Sequence, residues 1–383
     1  MKKYFLFLLI SILMSSNLVS QNNSVLSTGE WYQITTNQDG IHRIDYADLE
    51  TLGVSLNNLQ ISSIKIYGNG GGMLPNLNSE FRYTDLIENS ILVKDFNSNG
   101  FFDNDDYILF YGTSAHVWKF NQNTNLYEHQ MHLFADEVCY FLTVDNQSIG
   151  KRILEKSIEG DPTKFINSYN MFANHELDLV NLISSGKKWF GDRFTHDSKL
   201  SFMFNLPDLI QSDSIDLKIA AVARSFQESS FKINVNSSFL TNLSAPAVSP
   251  AYAQEYAKEV SSIDKYLPNS SNLSVEIEYF SLENGAEAWL DYIEINARRK
   301  LKLFGDYFHF RDIANLGNEV GEYQIENGEG LEVWDVTDPT SVSELTTSVV
   351  GNTLLFTDSL NIIHEYIAFN SAAYLQPVLK GSI

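Results

Sequence analysis

The sequence predicts a mainly β protein, built as several β-sandwich or jelly-roll-like units with few short helices. Three observations carry this. Ile215, Leu217 and Ile219 alternate with Asp216 and Lys218, and Leu273, Val275, Ile277 and Tyr279 alternate with Ser274, Glu276 and Glu278. Successive side chains of a strand point to opposite faces, so each run gives one apolar face and one wet face. Aromatic residues make up 13% of the chain, a composition suited to stacked sheets. Short apolar runs recur between turn residues, the spacing of sandwiches and barrels.

Read from the N-terminus, Lys2 and Lys3 precede an apolar run from Tyr4 to Met14 and a small polar stretch ending at Ser20. That run is too short to span a bilayer, so 1–20 is expected to be a secretory signal peptide, and the mature chain to be exported. No later segment approaches the ~20 apolar residues of a transmembrane helix. Without Lys2 and Lys3, 24 basic residues face 48 acidic ones, a formal charge of −24. Such a surface repels nucleic acid and anionic lipid and offers oxygen ligands to hard cations.

Three units are expected: a β-rich domain over 21–160, a jelly-roll-like sandwich over 161–299, and a smaller β-rich region over 300–383. Strands are expected at 64–67, 107–111, 140–144, 201–204, 289–295, 307–310, 331–336, 354–356 and 366–369. The Asp39-Gly40 step separates two strand-like runs and predicts a hairpin, because Gly accepts positive φ. Short helices are expected over 46–52 and over 251–260, the latter entered after Pro250. Cys139 is the single cysteine, which leaves no intrachain disulfide, and its apolar neighbours predict a buried, inert thiol.

The sharpest local pattern runs from 95 to 106. Counting Asp95 as position one, Asp95, Asn97, Asn99, Asp103 and Asp106 place oxygen at positions one, three, five, nine and twelve. Gly100 falls at position six, where a calcium loop turns sharply, and the Phe101 carbonyl stands at position seven. Asp106 replaces the usual Glu, and its shorter side chain reaches less far. The flanks read as strands, so the expectation is an EF-like Ca2+ loop between strands. The alternative is an ion-free Asn/Asp/Gly turn.

Other patterns are incomplete. The glycines from Gly68 to Gly72 lead into Met73-Leu74-Pro75, with no Gly-Lys-Ser/Thr element to cradle phosphate. His175-Glu176 opens like a zinc-protease helix, yet Leu179 stands where the second His must be. His129 and His132, with Asp136 near, lack further ligands at metal-site spacing. Asp291 and Glu294 offer two carboxylates for glycosidase chemistry or simply a wet strand face. Trp118, Trp189 and Trp289 suit a sugar platform or, more commonly, core packing.

Five phrases taken together carry a resemblance: Tyr67-Gly68-Asn69-Gly70-Gly71 before Leu74-Pro75; Asp106-Tyr107-Ile108-Leu109-Phe110-Tyr111-Gly112; Ser185-Gly186-Lys187-Lys188-Trp189-Phe190-Gly191-Asp192; Trp289-Leu290-Asp291-Tyr292-Ile293-Glu294-Ile295; and Val333-Trp334-Asp335-Val336-Thr337-Asp338-Pro339. In this order they resemble the N-terminal, non-catalytic region of the PorU family, gingipain-like cysteine endopeptidases of the type IX secretion system of Bacteroidetes. The resemblance spans nearly all of the mature chain. It implies a surface sortase that removes C-terminal sorting domains from secreted cargo. It further implies that the catalytic Cys and His lie beyond Ile383, so that Cys139 has no catalytic role. The implied partners are secretion-system components, cargo and a peptidase domain; the implied location is the cell surface, the outer membrane or the periplasm. A free-standing glycan- or protein-binding sandwich is the rival reading.

Overall fold

The computed structural model describes residues 24–158, 160–184, 186–251, 255–317 and 319–383. The leader expected over 1–20 lies outside these. Among the described residues the chain is mainly β, with one α-helix, Tyr46–Leu52, where the sequence places it. Asp45 caps that helix through a capping box with Asp48, and Gly53 closes it at φ 91°.

A ten-stranded sheet is the spine of the fold. Its order runs Leu154–Lys156, Ser343–Leu345, Glu332–Asp335, Glu365–Phe369, Tyr307–Arg311, Ser168–Glu176, Glu287–Lys300, Ile215–Arg224 and Lys258–Tyr266, with Arg193–Thr195 also pairing Glu287–Lys300. The sheet crosses position 299 without a break, because Ser168–Glu176 pairs both Glu287–Lys300 and, through Asn170, Tyr307–Arg311.

Two four-stranded sheets cover one face of the spine. Strands Lys199–Asn205, Asn272–Ser281, Ser229–Val235 and Ser238–Ala245 form the first of them. Leu273, Val275, Ile277 and Tyr279 turn inward from it, all fully buried, against Leu217, Ile219, Ile293 and Ile295 of the spine. The second sheet comprises Lys164–Ile166, Val320–Glu326, Thr353–Ser359 and Ser348–Val350, and buries Tyr323, Ile325, Leu354 and Phe356 against Phe310, Val333, Tyr366 and Ala368. Alternation along Ser168–Glu176 ties the cores together: Tyr169 enters one, Ala173 the other, and Met171 touches both.

The opposite face of the spine carries the N-terminal unit. There a five-stranded sheet, including Trp31–Thr36, Val138–Val144 and Ile64–Tyr67, packs on a three-stranded sheet of Gly40–Asp45, Tyr107–Gly112 and Ile91–Lys94. Ile41, Leu109 and Tyr111, on the outer face of the three-stranded sheet, share a fourth core with Trp334, Ile367 and Phe369 of the spine. The last strand, Val378–Ser382, returns to pair with Trp31–Thr36. A hairpin of Val117–Asn121 and Leu126–Gln130 lies over another part of that face, where Tyr127 N and His129 N donate to Asn296 and Glu294.

Three expectations are corrected. Asp39-Gly40 does not close a hairpin: Trp31–Thr36 pairs Val138–Val144, whereas Gly40–Asp45 pairs Tyr107–Gly112 in the other sheet. Both partners give full six-residue registers, so the turn carries the chain across the core instead. The helix expected over 251–260 is overturned where it is described. Lys258, Glu259 and Val260 open a strand whose period-two alternation pairs with Ala223, Val222 and Ala221; residues 252–254 lie outside the described set. Cys139 is exposed, because Val138 and Tyr140 take the inward positions. Its sulfur accepts a hydrogen bond from Gln33 Nε2 at 3.2 Å.

Candidate functional site

The loop 95–106 joins Ile91–Lys94 to Tyr107–Gly112, two strands paired antiparallel at Lys94 and Tyr107, so its flanks are strands as expected. Gly100, at φ 80°, makes the turn. The loop's oxygens are largely occupied by the loop itself. Asp103 Oδ2 accepts from the side-chain amides of Asn97 and Asn99 at 2.7 and 2.8 Å, and Asp95 Oδ2 accepts from Gly100 N at 2.9 Å. Asn99 Oδ1 accepts from Phe101 N, whose own carbonyl was the position-seven candidate. Asp106 is buried and bridges the loop ends, accepting from Phe96 N at 3.0 Å and Asp103 N at 2.8 Å. Asp95 Oδ1 is buried without a hydrogen-bond partner.

A second constellation is assembled by the spine and could not be read from spacing. His129, on the hairpin strand Leu126–Gln130, inserts between Glu176 and Glu294, which lie 47 and 165 positions away. Nε2 contacts Glu176 Oε2, Nδ1 lies 2.6 Å from Glu294 Oε1, and the His129 backbone N–H donates to the same oxygen at 2.8 Å. Burial pulls the imidazole pKa down, but hydrogen bonds and charge from Glu176 and Glu294 outweigh it and raise it to about 9. His129 is therefore an imidazolium at neutral pH, donating to two carboxylates. Trp118, half-buried, lies beside it with the rings tilted by 49°, and its ring is 4.0 Å from that of Phe172.

Glu294 and Asp291 line the same cavity of about 260 Å3, with Glu128, Glu176, Lys218 and Tyr292. Residues three apart on a regular strand face opposite ways. Here the register with Ile215–Arg224 slips between Ala220, opposite Tyr292, and Ala221, opposite Leu290. The extra residue is Asp291, and the bulge turns it toward Glu294. Burial first, then Glu176 and Glu259, push the Asp291 carboxyl up to about 6.

The other residues of interest go elsewhere. His132 Nδ1 accepts from Phe134 N and Ala135 N, and Asp136 lies 3.9 Å from His116 rather than near His129. His175 sits on a strand, with Nε2 2.7 Å from Asp192 Oδ2. Trp289 is buried in a small cluster with Phe190 and Val222, whereas Trp189 is 39% exposed. The glycine run packs closely rather than opening to a phosphate: a Cβ on Gly71 would meet Ser114 O at 1.8 Å.

Asp335, Asp358 and His364 form the one His/Cys/Asp/Glu trio, among the described residues, whose ligand atoms all lie within 4.8 Å of one another. Lys156 already supplies a cation there, donating to Asp335 Oδ2 and Asp358 Oδ2, each at 2.7 Å. Thr337 Oγ1 and Ser359 N donate to the remaining oxygens, and Tyr366 OH joins Lys156 on Asp358 Oδ2. Burial alone would raise the Asp335 pKa; His364, Lys156 and Thr337 together hold it well below the usual carboxylate range. The cluster is a closed ion-pair knot that ties Leu154–Lys156 to the C-terminal unit.

No family model and no curated protein matches the chain. The fold matches the crystal structure of dimeric latent PorU from Porphyromonas gingivalis with a TM-score of 0.79 and 20% identity, over 94% of this chain and 33% of that one. The chain thus has a PorU-like fold and spans about a third of the length of that protein. Two carbohydrate-binding modules match smaller parts. One is the CBM36-1 domain of a multidomain xylanase from the hindgut metagenome of Trinervitermes trinervoides, with a TM-score of 0.22 and 10% identity over 34% of this chain and 96% of that one. The other is a CBM36 module in complex with calcium and xylotriose, with a TM-score of 0.22 and 7% identity over 33% of this chain and 98% of that one. At those scores neither bears on function.

Proposed function

We propose that this chain is the non-catalytic N-terminal region of a PorU-type surface sortase, supporting or docking a cysteine peptidase domain rather than cleaving cargo itself. The observation that carries the reading is coverage: 94% of the chain follows the PorU fold at a TM-score of 0.79. Three cores packed on one spine, with a fourth inside the N-terminal unit, suit a rigid support. On this reading the peptidase supplies Cys and His, and the chain is exported to the cell surface or periplasm, in keeping with its leader-like first twenty residues and acidic surface. Its partners are then secretion-system components and sorting-domain cargo.

The reading includes a Ca2+ ion in the loop 95–106, held by Asp95, Asn97, Asn99, Phe101, Asp103 and Asp106. The partnerless, buried Asp95 Oδ1 supports it, since that atom stands at the first ligand position. Binding the ion requires Asn97 and Asn99 to release Asp103 and the nearby backbone amides.

Complex formation between the full chain and a separately produced PorU-type peptidase domain tests the proposal. A free-standing glycan-binding module would instead bind an oligosaccharide array and ignore the peptidase.

A further inference from the structure

We propose that the cavity between the hairpin 117–130 and the spine is a receptor for an arginine side chain of a polypeptide partner. The inference rests on the cavity and not on the sortase reading.

The cavity is short of positive charge. Four carboxylates line it, Glu128, Glu176, Asp291 and Glu294, against two cations, Lys218 and His129. Both cations are committed. His129 bridges Glu176 and Glu294 Oε1, and Lys218 donates to Glu128 at 2.9 Å. Glu294 is 1% exposed, yet its Oε2 makes no hydrogen bond and has only an ion pair with Lys218 Nζ, at 3.4 Å. A buried carboxylate oxygen left in this state carries a desolvation cost that a donor entering the cavity removes. Asp291 is brought alongside by the bulge, a device that commonly re-aims a side chain at a site.

The spacing selects among cations. A bare metal ion holds its oxygen ligands at about 2.0–2.6 Å, which draws them within about 5 Å of each other. The trio of described residues that meets such a limit is Asp335, Asp358 and His364, not this group. A cavity of about 260 Å3 with spread carboxylates fits a larger, planar, multi-donor cation. Guanidinium presents five N–H donors in a fork that serves two carboxylates at once. Met131 and Leu133, the latter 40% exposed, supply an apolar wall for the methylene stem at the cavity mouth.

The test is calorimetric titration of the full chain with acetyl-Gly-Arg-Gly-amide and with its citrulline counterpart, which keeps shape and loses charge. The arginine peptide is expected to bind saturably, and the citrulline peptide at least about tenfold more weakly. Asp291→Asn, isosteric and on a half-buried position, is expected to weaken the arginine peptide about tenfold while leaving the thermal melt unchanged. Equal binding of the two peptides, affinity untouched by Asp291→Asn, or no saturable heat with either peptide overturns the proposal. So does tight binding of Zn2+ or Ca2+ that Asp291→Asn abolishes, which makes this a metal pocket.

Discussion

Lys156 Nζ lies 2.7 Å from Asp358 Oδ2, although 202 positions separate the two residues. Asp358 is fully buried, and the same ammonium also reaches Asp335 at 2.7 Å. Removing one partner of a buried ion pair leaves an uncompensated charge and costs about 3–5 kcal/mol. Lys156 is part-exposed at its side chain, which places Lys156→Met at the lower end, about 3 kcal/mol. Urea unfolding checks this. Adding Asp335→Asn and Asp358→Asn to Lys156→Met is expected to restore much of the loss, because no unpaired charge then remains.

His129 gives a pH signature. Its pKa is raised from 6.5 to about 9 by Glu176 and Glu294 against the pull of burial. A raised folded-state pKa contributes stability that is complete below about 6.5 and lost as pH rises through about 9. The groups facing the ring are Glu176, Glu294 with Asp291 and Tyr292 on its strand, Lys218 beyond Glu294, and Glu128 on the ring's own strand. The stability gap between wild type and His129→Gln, measured by urea unfolding, is expected to be a few kcal/mol near pH 6 and to close above about pH 9.5.

Much of the architecture was legible because burial and strand period coincide. Leu273, Val275, Ile277 and Tyr279 alternate in the sequence and are all fully buried. The helix Tyr46–Leu52 and the strand Ile64–Tyr67 fall at the expected bounds, since each is fixed by local signals. What failed was decided by distant partners. Lys258–Val260 became strand because Ile215–Arg224 offered a ladder, and Asp39-Gly40 joined two sheets because each flanking strand found a longer partner elsewhere. Cys139 lies within an apolar run, yet alternation with the inward-facing Tyr140 and Leu142 turns it outward. The His129 cavity had no sequence signature, since its carboxylates come from strands brought together by the spine. Only the Asp291–Glu294 spacing hinted at it, and that needed a bulge to become a shared face.

Calcium is the third prediction. Titration followed by heat or melting temperature is expected to show one site, with a Kd of about 10⁻⁴–10⁻³ M, the range of extracellular modules. Asp95→Asn with Asp103→Asn is expected to abolish it. No heat and no shift at millimolar calcium leaves the loop an ion-free turn.

The core between the N-terminal unit and the spine makes a fourth. Ile367 is fully buried there beside Trp334 and Phe369, opposite Leu109 and Tyr111. Ile367→Ala is expected to cost about 2–4 kcal/mol through lost burial and the cavity left behind. Because this core joins the units, wild-type urea unfolding is expected to follow one transition by both tryptophan fluorescence and far-UV dichroism. Two separated transitions contradict that coupling.

The measurement that bears most directly on the scaffold role is sedimentation velocity of the full chain, 43.4 kDa, mixed with an equimolar PorU-type peptidase domain. The account predicts a single faster-moving one-to-one species that persists on dilution into the micromolar range. Two independent boundaries at every concentration, with saturable binding of an oligosaccharide by the same preparation, contradict it.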